Sequence, residues 1–357
     1  MNAPETLLPA GFRRIDGFDA ARNAWPRGRQ PGLILEAAET FRKTFKAGGT
    51  ITGVRTIDLV AAGYPAGYAF NHAAFALNPY LAICNRLLLI RYQDCGGKSR
   101  LLAWEPTILE NSAKAPFFAE LIKFYGEFLS NTVFKTEYHT LAQALAKAGV
   151  RAEDVDYVAF DHLHVQDVRG LIGTADGSIQ PAFPNAKLIA QPKELDTVFE
   201  PHPMQTAWYV PDSGVGAERS RLLPIEGDVL LGTGIVLIAT PGHTDGNVSL
   251  VLNTDDGIWV SSENGVAVDN WHPEHSKIPG LRGYRQHYQR DVILNANTLE
   301  DPQDQYNSML LERALADVSK KDARFKQVLP STELLPWKRN WPCTPALFQG
   351  GIHYGTI

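Results

Sequence analysis

Strand-like apolar runs closed by helical stretches occur twice along this chain, and that doubled texture limits the folds open to it. In the first half, ITGVRTIDLV (51–60), LAICNRLLLIRY (81–92) and SRLLAW (99–104) read as strands, the last two joined by the turn DCGGK. Helical spacing follows over 114–131 and over HTLAQALAKAG (139–149), which ends on a glycine stop. VDYVAF (155–160) is then a short apolar strand. In the second half AKLIA (186–190) and PKELDTVFE repeat strand then helix. SRLLPIEGDVLL, GIVLIAT (234–240) and the hairpin SLVLNTDDGIWVSS are strands, a long polar loop is expected over about 263–285 and a helix over 302–319, and FKQVLP (325–330) is the expected last strand. Two sheets packed face to face with helices outside satisfy this order. The expectation is an α+β fold, a four-layer αββα sandwich.

Composition narrows the function classes. The 357 residues are 44% apolar and 20% charged, an ordinary globular balance with enough apolar mass for a large core. A net charge of -5 gives no bulk attraction for nucleic acid. Cys84, Cys95 and Cys343 are sparse and form no C-x-x-C pair, which argues against a disulfide framework and fits a reducing compartment. Two buried thiols and one surface thiol are expected. The start MNAPETLLPAGFRRIDGF lacks a basic stretch followed by an apolar run, and no stretch reaches about 18 apolar residues. A cytoplasmic protein with no membrane partner is the expectation. Residues 1–50 read as a lead-in packing on a domain over 51–335, and 336–357 as an aromatic tail.

Two histidine loops carry the chemistry. DHLHVQD (161–167) follows an apolar strand, and in an extended chain positions i and i+2 face one side. His162 and His164 are therefore expected to aim at one ion, and imidazole suits Zn, Fe, Cu or Ni. An H-x-H pair alone also arises by chance. TPGHTDGN (240–247) places His243 after another strand, with Pro241 and Gly242 forcing a turn. WVSSENG (259–265) ends a third strand in Ser262, Glu263 and Asn264.

This ordered series resembles the metallo-β-lactamase superfamily over roughly 51–335. The family's pattern is an H-x-H-x-D-H loop, a Gly-His loop, an Asp that can bridge two metals, and a final His after a late strand. The resemblance implies that His162, His164 and His243 ligate metal and that Glu263, or Asn264 with a one-residue shift, stands at the bridging position. The chain departs from the pattern at Gln166 and Asp167, which replace the loop's Asp and last His, and near Thr332 and Glu333, where the final His belongs. One histidine set is intact while the second metal's set is largely replaced.

The implied function is a metal-dependent hydrolase, in which metal-bound hydroxide attacks a small ester, lactone or amide. One or two Zn ions are expected, with Fe or Mn favoured at a second site if Asp167 ligates there. Asp167 and Glu263 are the candidate catalytic residues, as ligands or as groups that orient or deprotonate water. Gln166, Asn264 and His275 are candidate substrate or supporting contacts. Two alternatives stay open: a redox-active di-iron enzyme using Asp167, Glu263 and Glu333, and a binding protein with a degenerate site. Trp337, Trp341 and Tyr354 either wall the site or pack at the core or a homodimer interface.

Overall fold

A computed structural model of the protein describes residues 8–132, 135–297 and 302–357. Side-chain alternation organises it. Along Ile235–Ala239, Ile235 and Leu237 enter the space between two sheets, while Val236 and Ile238 point outward under helices. Along Tyr80–Gln93, Leu88, Ile90 and Tyr92 point inward, and Leu87 and Leu89 outward. Both faces of each strand are covered, so the sequence reads as continuous apolar runs rather than alternating ones. Each fully buried Leu, Ile or Val contributes roughly 1.5–3 kcal/mol.

One sheet has six strands in the order β1 (Arg13–Ile15), β9 (Asp228–Gly232), β10 (Ile235–Ala239), β11 (Val248–Thr254), β12 (Gly257–Ser262) and β13 (Val328–Pro330). The other has nine, ordered β15 (His353–Gly355), β2 (Gly53–Pro65), β3 (Tyr80–Gln93), β4 (Ser99–Trp104), β6 (Tyr157–Ala159), β7 (Lys187–Ala190) and β8 (Leu222–Pro224), with β5 (Lys135–Glu137) on β2 and β14 (Thr332–Leu334) on β3. The helices Gln30–Ala47 and Pro302–Leu315 cover the first sheet. Leu141–Ala148, Val168–Ile172 and Pro192–Phe199 cover the second, which completes the αββα order. Leu141–Ala148 has its start fixed by a Thr140–Gln143 capping box and its end by Gly149 at φ 69.

Several expectations shift. The expected helix over 114–131 is Pro116–Thr132, broken at Gly126, whose φ of 79 and ψ of 155 are not helical. The expected loop 263–285 contains the helix Val268–Trp271 and enters a second helix, Leu281–Tyr288, because its apolar residues find a core. The described part of the lead-in joins the fold: β1 pairs with β9, and Gln30–Ala47 packs outside. FKQVLP is not the last strand. The chain leaves β13 at Pro330, crosses at Ser331 and enters the other sheet as β14 at Thr332. The tail does not close over the site: β15 pairs with β2 at the sheet edge, Tyr354 packs on the inter-sheet core, and Trp337 and Trp341 are exposed. Cys84 and Cys343 are buried and Cys95 is exposed, as expected. Among the described residues no helix is long and apolar enough to cross a membrane.

Candidate metal centre and pocket

The loop after β6 and the loop after β10 meet at one end of the sandwich. Gly242, at φ 127, makes the turn before His243; a Cβ there would lie 2.1 Å from the Gln305 backbone nitrogen, so only glycine fits. Val165 sits at φ 58, a costly conformation for a β-branched residue, and its N–H donates to the Trp208 carbonyl at 2.7 Å. These two backbone devices bring His162, His164 and His243 together. Their rings lie 4.3–5.2 Å apart between centroids, and one nitrogen from each falls within 4.8 Å of the others. All three are buried.

The nitrogens are sorted by their partners. His162 Nδ1 is bound to Asp161 Oδ1 at 2.5 Å, which leaves Nε2 for the cluster. His164 Nε2 is bound to Gln205 Oε1, and among the described residues its buried Nδ1 has no hydrogen-bond partner. Burial and the neighbouring rings His162 and His243 hold His164 well below the usual histidine range. Burial, reinforced by His162, lowers His243 to about 3. Burial also opposes charging of His162, but the Asp161 carboxylate outweighs it and raises the ring to about 9. His164 and His243 are thus held in the neutral form, which is the form that ligates a cation.

Glu194 ties the two loops into one unit. One oxygen accepts from the Leu163 N–H at 2.7 Å and the Tyr209 hydroxyl at 2.5 Å; the other accepts from Thr244 Oγ1 at 2.6 Å. Glu263, half-buried, adjoins the cluster with Asp161 and His162, and accepts from Thr332 Oγ1 at 2.8 Å. Burial raises its carboxyl to about 7 against the pull of His162.

A cavity of about 200 Å³ opens from His162 and His164. Phe118, Leu121 and Ile122 of the helix Pro116–Thr132 form one wall, and Ile83 and Trp208 contribute others. Gln166, Glu263 and Thr332 also line it. Gln166 donates to Thr107 Oγ1 at 3.1 Å.

No family model matches the chain. An N-acyl homoserine lactonase of a Bacillus species is 28% identical over 134 residues, 37% of this chain and 47% of that protein. One from Bacillus thuringiensis is 25% identical over the same length. The chain spans about half the length of the curated relatives it matches. Among solved structures, a probable metal-dependent hydrolase from Staphylococcus aureus superposes with a TM-score of 0.50 at 17% identity, covering 72% of this chain and 83% of that one. The chain has the metallo-β-lactamase fold.

Against the metallo-β-lactamase pattern, the structure brings together His162, His164, His243 and Glu263 but not the remaining candidates. Asp167 caps the helix Val168–Ile172 and is gripped by Arg169 at 2.9 and 3.0 Å, so it joins neither ligand group found among the described residues. Glu333 faces away: it is buried against Arg86 at 2.7 Å and accepts from the Gln349 and Gly350 backbone. A second site built from Asp167, Glu263 and Glu333 is therefore not assembled. Asn264 donates to Glu312 at 2.6 Å and serves the loop's anchoring. His275 stacks edge-on to Phe325, beside His272, outside the cavity lining. Asp161, Glu194, Gln205 and Ser331 escaped the sequence reading. Asp161 had a signal, adjacency to His162; the others lie far along the chain with no motif spacing.

Proposed function

We propose that this protein is a metal-dependent hydrolase that opens a small ester or lactone carrying an apolar arm. The convergence of His162, His164 and His243, the first two of which line an apolar cavity, carries this reading. The residues fit one divalent ion, zinc by preference: three imidazoles suit it, and the buried Nδ1 of His164 has no hydrogen-bond partner among the described residues. Such an ion, when bound, lowers the pKa of water and polarises a carbonyl oxygen. His162 Nε2, His164 Nδ1 and one nitrogen of His243 are the proposed ligand atoms.

Glu263 adjoins these ligands with one oxygen held by Thr332. It is the group proposed to take the proton of the attacking water and return it to the leaving alkoxide, giving acid and alcohol. A carboxyl near 7 exchanges protons close to neutral pH. The cavity is small beside the roughly 300–1,000 Å³ of pockets that engulf drug-sized ligands, and its walls are mainly apolar. A short hydrocarbon arm fits it. The Bacillus relatives named as N-acyl homoserine lactonases support a lactone over an amide.

The test is hydrolysis of γ-lactones and aryl esters by protein of measured metal content. E263Q and H243A are expected to lower kcat/KM by about 10²-fold or more. Activity that survives both variants and full chelation would sink the reading.

A further inference from the structure

The carboxylate behind His162 is the most constrained group near the cluster. Asp161 Oδ1 lies 2.5 Å from His162 Nδ1, and Oδ2 accepts from Ser331 Oγ at 2.6 Å. Its backbone is pinned from both sheets. The N–H donates to Glu105 Oε1, just past β4, at 2.7 Å; the carbonyl accepts from the Val248 N–H, at the start of β11, at 2.8 Å. Ser331 is the residue at which the chain crosses between sheets. Asp161 is 1% exposed, and among the described residues His162 is its only ion-pair partner.

A buried carboxylate needs compensation; His162 and the Ser331 hydroxyl supply it here, while the buried Glu105 carboxyl lies against Asp161 and Glu263 adjoins it, adding to the negative charge to be offset. His164 is backed differently, by the neutral amide of Gln205. The two rings of the H-x-H pair thus receive unequal support.

We propose that Asp161 is a positioning residue. It fixes the His162 ring with Nε2 toward the ion, and through the imidazole it lends that ligand anionic character, so that a cation on Nε2 completes the compensation of the buried carboxylate. Ser331 holds Asp161 in that orientation. Carboxylate–histidine–metal relays of this kind raise ligand basicity, and their loss typically weakens metal binding about 10–100-fold. The inference rests on the metal reading above.

The experiment titrates chelated, full-length protein with zinc against a chromophoric competitor, and with Co(II) by its visible bands. D161N keeps the side-chain shape and an acceptor oxygen while removing the charge. Expected are a zinc Kd about 10–100-fold weaker, a shifted Co(II) spectrum, and metal-free unfolding close to that of the parent. S331A is expected to weaken zinc by about fivefold. An unchanged Kd and spectrum in D161N overturns the proposal. If D161N does not fold, S331A decides in the same sense, unchanged binding counting against it. A parent chain that binds neither metal overturns the hydrolase reading and this proposal with it, whereas a parent that binds and a D161N that binds equally overturns only the role of Asp161.

Discussion

Thr332 Oγ1 donates a 2.8 Å hydrogen bond to Glu263 Oε1, at the position where the resembled pattern has its final histidine. The hydroxyl orients the proposed base instead of ligating an ion. T332V is expected to lower kcat/KM about tenfold or more, the scale of one hydrogen bond to a charged group, without loss of zinc. Steady-state kinetics beside metal analysis checks both halves.

The rate should follow the ionisation of Glu263. Its carboxyl is raised to about 7, so the basic form is scarce below that pH and abundant above it. kcat/KM is expected to climb with pH up to about 7 and then level. In E263Q that limb should be missing; an identical limb in both proteins would remove Glu263 from the role.

Asp167 is held by Arg169, so one ion per chain is expected on reconstitution. The triple variant Q166D/D167H/T332H restores the loop and final-histidine positions of the resembled pattern, with Glu263 kept at the bridging position, and should raise bound zinc from about one to about two per chain. Metal analysis after dialysis reads the result.

Arg86 is 1% exposed and bridges Asp58 and Glu333, both at 2.7 Å. R86M strands the buried Glu333 carboxylate and should cost about 3–5 kcal/mol in urea unfolding. Zinc affinity should not change, because neither residue reaches the cluster.

Glu312 is buried beneath the site loops, accepting from Ser249, Ser262, Asn264 and Trp271, and burial raises it to about 7 despite those donors. A carboxyl raised on folding binds its proton more tightly in the native state, so its contribution is full below about 4.5 and is lost as pH rises through 7. Stability should fall by about 3 kcal/mol across that window, with the slope flattened in E312Q. Urea midpoints at pH 5, 6, 7 and 8 measure it.

Much of this was legible in the chain itself. Periodic apolar runs such as Ile235–Ala239 announce strands because covered faces demand them, and Pro241–Gly242 before His243 announces a turn. The three histidines sit at strand ends, where loops converge, so their grouping followed from order. The structure places Asp167 differently for a local reason: Arg169, two residues on, grips a carboxylate that spacing alone would send to the metal. Glu333 was misplaced because the crossing at Ser331 turns alternate residues of β14 to opposite faces, and Thr332 takes the site side. Glu194 and Gln205 act through tertiary contact, which no local pattern encodes.

Glu194 joins the backbone between His162 and His164 to the hydroxyl beside His243. The two loops therefore lose their relative freedom when the chain folds, before any ion arrives. An ion taken up at the proposed site would therefore fill a rigid mould and leave the backbone where it was.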